Sequence, residues 1–393
     1  MSRKESAAST LDEVLKYHLS KAENLSYDKG NELEVRFGTK GKNRITKIQF
    51  ESVIRALKAH NFVCYNERGD QTMKIQSEFV DVKSGRTKLS NVRFVLKGDT
   101  TIQKYCKTNS LDDVGEYELN YELKTYAKDG EAVFYPIDNS DFNMRYSYQT
   151  EVKLTEKSPI VKEAKRGWDD SKKSFRYLNR ITYTNYDDNL PVKVDMSITK
   201  MSQRKKGQRD NLYYNVAESG VFQAPETYEI EIELDNSRVG EFSRFKTPEQ
   251  VKVVLKKVIK IILSGLQNTN YPIPYSQQDA ALGNYATLIG MAKKELHEYK
   301  PKEFCGPASY TLELKNIQPH KTMETMNVPN IRDDYTVTDK ADGLRKLLFV
   351  DVDGKIYYIT TTMDIEFSGF LVTEKKLFNS LLDGEHILHD KKG

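Results

Sequence analysis

The sequence predicts an α+β protein with two units: an antiparallel β-barrel with a charged interior, accompanied by helices, and a smaller mixed unit that begins near residue 271. Three observations carry this expectation. Apolar and polar residues alternate with a period of two in segment after segment up to about residue 235. In several of these segments the polar face is charged, not merely hydrophilic. Acids and bases are also sorted onto different strands, which a simple solvated sheet has no reason to do and a closed barrel with a charged interior does.

Composition narrows the class. Among 393 residues, 61 Lys and Arg oppose 57 Asp and Glu, and only 38% of residues are hydrophobic even with 24 Tyr counted. The chain is polar for its length, yet 24 Tyr and 16 Phe are too many for a disordered polymer. Val251 to Leu263, the most apolar helical stretch, is interrupted by Lys256, Lys257 and Lys260, so no membrane span is expected. Met1 to Thr10 carries Ser, Lys and Glu where a secretory signal would be apolar. Cys64, Cys106 and Cys305 are widely spaced without a CxxC pair, which points to a reducing compartment and away from structural zinc.

In chain order, Thr10-Leu11-Asp12-Glu13 fits a capping box ahead of the apolar stripe Leu11, Val14, Leu15 and Leu19. Thr46 to His60 reads as a second helix, framed by Thr46 and Gln49. Eight strands are expected near 31–37, 72–82, 91–97, 116–124, 143–154, 174–184, 191–200 and 227–234. Pro248 to Leu263 reads as a helix, and Gln267 to Pro274 as the turn-rich end of the first unit. A helix around Ala280 to His297 is expected next, and Pro301 and Gly306-Pro307 then reset the chain ahead of Ser309 to Ile317.

The charged strands carry the chemistry. In Asn31-Glu32-Leu33-Glu34-Val35-Arg36-Phe37, Glu32, Glu34 and Arg36 share one face; in Tyr228 to Leu234, Glu229, Glu231 and Glu233 do. Same-face neighbours lie about 7 Å apart, where like charges suit water or a cation. Either row alone reads equally as a solvated sheet face. Opposite them, Arg176 and Arg180 share a face of their strand, and Arg93, Arg145 and Lys193 are similarly placed on theirs. Carboxylates suit a hard divalent cation, and the basic groups suit phosphate oxygens.

These residues resemble a known family. ELEVRFG and YEIEIEL look like the two glutamate strands of the triphosphate tunnel metalloenzymes, in particular the metal-dependent RNA triphosphatases of fungi, protozoa and large DNA viruses, over roughly residues 25–245. The resemblance implies an eight-stranded antiparallel β-tunnel with external helices in a domain spanning 1–270. Glu32, Glu34 and Glu233 would ligate Mg²⁺ or Mn²⁺, Glu231 would orient the attacking water, and Glu229 would support that shell. Arg93, Arg145, Arg176, Arg180 and Lys193 would bind the triphosphate, with Asp195 orienting them. One departure is Leu178, which stands where the fungal-type pattern has an inward basic residue.

A second motif lies in Tyr335 to Arg345, where a strand is expected to deliver Lys340 into an Asp342-Gly343 turn, followed by a strand over Leu347 to Val350. A charged hairpin with a DG turn is the ordinary alternative. KxDGxR resembles motif I of the covalent nucleotidyltransferases, the mRNA guanylyltransferases and polynucleotide ligases. The resemblance implies an ATP-grasp-like α+β domain over 271–393, with Lys340 as nucleophile toward GTP. Arg345 and Asp342 would contact the nucleotide or orient the loop through Gly343, and Asp383-Gly384-Glu385, after a strand over Lys355 to Thr360, looks like motif III with Glu385 at the ribose or metal. The family's later motifs are not found, so the sequence reads as the amino-terminal part of a longer polypeptide.

The order of the three motifs is most similar to the mRNA capping enzymes of giant DNA viruses of the mimivirus and African swine fever virus type. That implies 5′-triphosphate RNA and GTP as partners, no membrane, and a site in the host cytoplasm, viral factory or virion. Arg204-Lys205-Lys206 and Lys162 to Arg166 are candidate RNA contacts or plain solvated loops. A polynucleotide ligase remains an alternative, which the glutamate strands disfavour. A non-catalytic RNA-binding scaffold is the other, and near-zero net charge argues against a strong nonspecific nucleic-acid binder.

Overall fold

Eight strands close on themselves in the first unit. In this computed structural model, which describes residues 10–21, 29–38, 44–80, 85–115, 118–203, 211–319 and 328–387, the chain divides into Met1–Asn268 and Thr269–Gly393. The strands are β1 (Lys29–Phe37), β2 (Asp70–Val80), β3 (Val92–Lys97), β4 (Leu119–Tyr126), β5 (Met144–Leu154), β6 (Lys173–Thr184), β7 (Val192–Met201) and β8 (Thr227–Leu234). Their order is β1-β5-β4-β3-β2-β6-β7-β8, and β8 pairs back to β1. Every pairing is antiparallel. The antiparallel barrel with external helices is therefore as expected, each strand within a few residues of its expected place. Residues 81, 82, 116 and 117 of two expected strands lie outside the described residues.

The barrel is built with its apolar faces outward. Leu33, Val35 and Phe37 of β1, Val192, Val194 and Met196 of β7, and Ile230, Ile232 and Leu234 of β8 are buried against helices. Those helices are α1 (Leu11–Lys21), α2 (Lys47–Ala59) and, later in the chain, the 20-residue Pro248–Gln267. On the opposite wall Met73, Ile75, Phe94, Leu96 and Phe175 form a second cluster with Tyr105 and Trp168. That wall is covered by two helices not anticipated from sequence, α3 (Asp99–Thr108) and α4 (Pro159–Arg166). Lys162 to Arg166 thus lies in a helix, not a loop, whereas Arg204 to Lys206 falls outside the described residues.

Local chemistry fixes these helices. Both halves of the Thr10/Glu13 capping box form, Thr10 N donating to Glu13 Oε2 at 2.8 Å and Glu13 N to Thr10 Oγ1 at 3.3 Å. Thr46 and Gln49 repeat it on α2. Helix α5 (Pro248–Gln267) starts with Thr247 and Gln250 in the same arrangement and Pro248 in its first turn, and stops at Asn268 in the left-handed conformation. Its lysines stay outside, while Val251, Val254, Leu255, Val258 and Ile262 are buried.

The second unit contains α6 (Tyr275–Leu288) and a sheet of β9 (Leu344–Val350), β10 (Lys355–Thr360), β11 (Ile365–Leu371) and β12 (Ser380–His386). The strand order is β11-β10-β9-β12, all antiparallel. Leu347, Phe349, Tyr357 and Ile359 pack with Ala281, Leu282 and Tyr285 of α6. Two local expectations need correction. The helix expected over 280–297 runs from Tyr275 to Leu288, because Gly290 at φ +73° turns the chain away. No strand precedes Lys340, since Val337 and Tyr335 find nothing to pack against and are 99% and 59% exposed. In Ser309 to Ile317, Leu312 and Leu314 are exposed and Leu314–Asn316 is a single 3₁₀ turn.

All three cysteines are free. Among the described residues no helix is long and apolar enough to cross a membrane.

Gly265 of α5 is where two helices touch. A Cβ added there would lie 2.6 Å from Val53 Cα of α2, a backbone atom that yields only if the helices separate. Gly265→Val is expected to destabilise the protein by about 1–3 kcal/mol, read as a lowered thermal midpoint. An unchanged midpoint would show that the α2–α5 contact does not support the barrel wall.

Candidate active site

Alternation in the closed barrel turns the charged faces inward. Glu32, Glu34 and Arg36 of β1, Glu229, Glu231 and Glu233 of β8, Lys193 and Asp195 of β7 and Arg176 and Arg180 of β6 fall on the face opposite the buried apolar residues. The register sets the neighbours. Glu34 lies directly across from Glu233, Glu233 across from Lys193 on its other side, and Asp195 across from Glu231.

Ion pairs link most of these groups into one chain. Lys124 Nζ sits 2.7 Å from Glu32 Oε2 and 2.5 Å from Glu34 Oε1. Arg36 bridges Glu34 at 2.8 Å and Glu231 at 2.9 Å. Arg180 bridges Glu231 at 3.1 Å and Asp195 at 2.7 Å, and its Nε donates to Ser197 Oγ. Thr182 Oγ1 donates to the other Asp195 oxygen at 2.6 Å. Arg176 pairs with Glu229, and Lys74 with Glu122 at 3.2 Å.

The carboxyls respond in opposite directions. Burial pushes Glu34 up, but Lys124 and Arg36 outweigh it and hold Glu34 at about 2. Glu233 makes no ion pair among the described residues. Burial, followed by the charges of Glu32 and Asp195, raises it to about 7 despite Lys193. Asp195 and Glu151 are also raised, first by burial.

A hard divalent cation suits this donor set, because a desolvated, unpaired carboxyl beside other carboxylates is stabilised by positive charge. The oxygens are not gathered into a finished cage. Among the described residues, the one group of three potential ligands within 4.8 Å of one another is Glu295, His297 and Glu298 in the second unit, largely exposed. Glu32 and Glu34 are instead held by Lys124.

Of the expected phosphate ligands, Arg176 and Arg180 face inward, engaged with carboxylates. Arg93, opposite Glu122, makes no ion pair among the described residues, and neither does Lys193. Arg145 turns to Asp138, its neighbour on the short strand Ile137–Asn139, with Nε–Oδ1 at 2.7 Å. Leu178 does point inward, and it is 3% exposed. Lys74, Glu122 and Lys124 also belong to the interior and were not singled out from sequence, while Arg36 was placed on the charged face of its strand without a role and Glu151 joins them. Their signal was present: Glu122 and Lys124 alternate with Tyr121 and Leu123 in the same period of two.

In the second unit, pairing of β9 with β12 sets Arg345 across from Glu385. Arg345 forms a two-pronged bond with Asp383, Nε–Oδ1 3.0 Å and Nη2–Oδ2 2.6 Å. Gly343 is needed for close approach, since an added Cβ would meet the His386 carbonyl at 2.6 Å. Lys340 is apart from this cluster: its side chain is 86% exposed, with Asp342 3.7 Å away as its only ion-pair partner among the described residues.

No model of a known protein family matches the chain. The chain is 25% identical over 164 residues, 42% of its length, to a probable mRNA-capping enzyme of Acanthamoeba polyphaga mimivirus. It spans only 11% of that relative. Among solved structures it resembles the mimivirus capping enzyme triphosphatase, at 14% identity and TM-score 0.37, over 64% of this chain and 99% of that one. It also resembles the S. pombe Pct1 RNA triphosphatase in complex with the Spt5 CTD, at 11% identity and TM-score 0.31, over 67% of this chain and 93% of that one.

The raised carboxyl makes a stability prediction. In the unfolded chain Glu233 ionises near 4.5 and in the folded chain near 7. The folded state holds the proton longer, so its stability falls as pH rises between those values. Glu233→Gln is expected to stabilise the protein without added divalent metal at pH 8 by about 1–3 kcal/mol, and to leave it unchanged at pH 4. A variant less stable than wild type at pH 8 would show that Glu233 is already compensated.

Proposed function

We propose that the first unit is a metal-dependent RNA 5′-triphosphatase that prepares RNA for capping by removing the γ-phosphate of its triphosphate end. The observation that carries this reading is the pairing of β1 with β8, which sets Glu34 against Glu233 in a barrel interior that also holds Arg93, Arg176, Arg180 and Lys193. Similarity to a probable mRNA-capping enzyme supports the same reading.

Glu32, Glu34 and Glu233 would hold Mg²⁺ or Mn²⁺, which when bound supplies Lewis-acid polarisation of phosphate oxygens. Lys124 leaves Glu32 and Glu34 for the entering triphosphate, carrying its charge from carboxylate to phosphate. Arg93 and Lys193, without ion pairs, bind phosphate oxygens first. Arg180 and Arg176 neutralise charge that develops as the bond to the γ-phosphorus breaks. Glu231, fixed by Arg36 and Arg180, orients the attacking water and receives its proton. The water oxygen bonds to the γ-phosphorus, the bridging oxygen departs with the diphosphate-ended RNA, and inorganic phosphate is released.

Release of phosphate from γ-labelled triphosphate RNA with Mg²⁺ or Mn²⁺ tests this. Wild type is expected to release phosphate, and Glu34→Ala and Glu233→Ala to lose at least about 100-fold. No release from wild type, or undiminished release from both variants, would overturn the reading.

For the second unit we propose a part of a covalent nucleotidyltransferase that uses GTP, with Lys340 as nucleophile. The supporting observation is that Arg345 and Asp383, from the two separate motifs, meet in one ion pair beside Glu385. Lys340 nevertheless stands exposed, with Asp342 at 3.7 Å as its ion-pair partner among the described residues. Incubation with α-labelled GTP is expected to yield little or no lysyl-GMP from this chain. A stable adduct that disappears in Lys340→Ala would contradict that expectation.

A further inference from the structure

One end of the barrel carries aromatic side chains that its fold does not use. Tyr186 follows the last residue of β6 by two, at the start of the turn that leaves the strand beyond Arg180 and Thr182. Tyr65 follows Val63–Cys64, a two-residue strand that pairs with Tyr183 and Thr184 at the same end of β6. The rings stand edge to face with centroids 6.0 Å apart. Arg238, just beyond the end of β8, lays its guanidinium 5.1 Å from the centre of the Tyr186 ring. Tyr65 is 89% exposed and Tyr186 42%.

The loops that present these groups are fixed. Asn66 Nδ2 donates to the Gly69 carbonyl at 2.9 Å, Arg68 N to Asn66 Oδ1 at 3.1 Å, and Asn179 Nδ2 to the Arg68 carbonyl at 2.9 Å. Gly69, at φ +76°, has its Cα so close to Asn179 that a Cβ would fall 2.2 Å from Oδ1. On the other side Asn185 binds the His60 carbonyl and the Asp188 amide, and Arg238 Nη1 donates to the Leu190 carbonyl. An aromatic ring held rigidly in water loses little entropy when a flat partner stacks on it.

Charge at this rim is of both signs. Glu67 pairs with Lys58 at 3.2 Å, Asp188 with Lys257 at 2.6 Å and Asp235 with Arg238 at 3.4 Å, while Asp70 and Asp187 make no ion pair among the described residues. Arg68, on the Tyr65 loop, and Arg244, on the loop that carries Arg238, make none either. Tyrosine faces with guanidinium groups are the combination that holds single-stranded nucleic acid without regard to sequence, because every base has a π-face.

We propose that Tyr65, Tyr186 and Arg238 form a stacking platform for the first bases of the RNA whose 5′ end occupies the barrel. The assignment deepens the triphosphatase reading and rests on it. Four residues of extended strand separate Arg180 from Thr184, roughly 13 Å, and Tyr186 stands two residues further on, a span that accommodates a triphosphate and the first nucleotide. The barrel reads the phosphates and the rim holds the bases, so RNA gains affinity over a bare polyphosphate.

Two measurements on the full chain test the platform. Fluorescence anisotropy with a short 5′-monophosphate RNA reads binding without turnover. Tyr65→Ala and Tyr186→Ala are each expected to weaken it about tenfold, the double variant more, and Tyr65→Phe to retain it. In phosphate release, the same variants are expected to raise KM for triphosphate RNA while leaving hydrolysis of inorganic tripolyphosphate unchanged. Undiminished RNA binding by the double variant, or an equal rise in KM for tripolyphosphate, would overturn the platform. If wild type hydrolyses neither substrate, the triphosphatase reading fails, and the anisotropy series still decides whether the rim binds RNA.

Discussion

Charge turned into a closed barrel must be compensated where its side chains are buried, as those of Glu34, Lys124, Glu231 and Asp195 are, because an unpaired buried ion costs several kcal/mol. The interior meets this requirement with a chain of alternating sign: Glu32, Lys124, Glu34, Arg36, Glu231, Arg180, Asp195. Each cation in it serves two carboxylates, and Arg36 and Arg180 join carboxylates of different strands, so the chain crosses from β4 through β1 and β8 to β6 and β7. Removing an internal member takes a partner from two others. The rest of the unit follows from this network, since it fixes which strand faces turn inward and leaves the apolar faces to be covered from outside.

The compensation is incomplete in a directed way. Glu233 lies between Glu34 and Lys193 and makes no ion pair among the described residues, and Arg93 and Lys193 carry charge that no carboxylate among those residues claims at salt-bridge distance. One interior thus contains both unsatisfied negative charge, suited to a cation, and unsatisfied positive charge, suited to an anion. A metal phosphate complex answers both needs at once. The outer surface shows the complementary economy: with the polar faces inside, Leu33, Val35 and Ile232 would meet water, and α1, α2 and α5 exist to cover them.

Much of this was legible because a strand's alternation is local. The eight strands, the inward direction of Glu32, Glu34, Glu229, Glu231 and Glu233, and the caps at Thr10 and Thr46 all depend on neighbours within a few residues. What escaped depends on pairing. That Lys124 reaches Glu32 and Glu34 follows from the β1-β5-β4 order, which no local pattern encodes. Arg145 resembles its fellow arginines in sequence, and only the short strand Ile137–Asn139 supplies the Asp138 that engages it. In the second unit, Tyr335 to Asp339 was read as strand, but alternation yields a strand only when another strand is there to pair. Val337 has none, and it stays exposed.

Leu178 shows how one apolar residue organises the charges around it. It occupies the inward slot between Arg176 and Arg180, two guanidinium groups whose backbones stand about 13 Å apart along β6. Its burial at 3% exposure, opposite Thr199 and Thr72, puts a neutral spacer there. A cation in that slot would have to share the carboxylates on either side. Without one, Arg176 keeps Glu229 and Arg180 keeps Glu231 and Asp195. The two arginines therefore answer to separate carboxylates, and a phosphate that draws Arg180 away from Glu231 need not disturb Arg176. Leu178 thus divides the basic face of β6 into two independently held cations, Arg176 with Glu229 and Arg180 with Glu231 and Asp195.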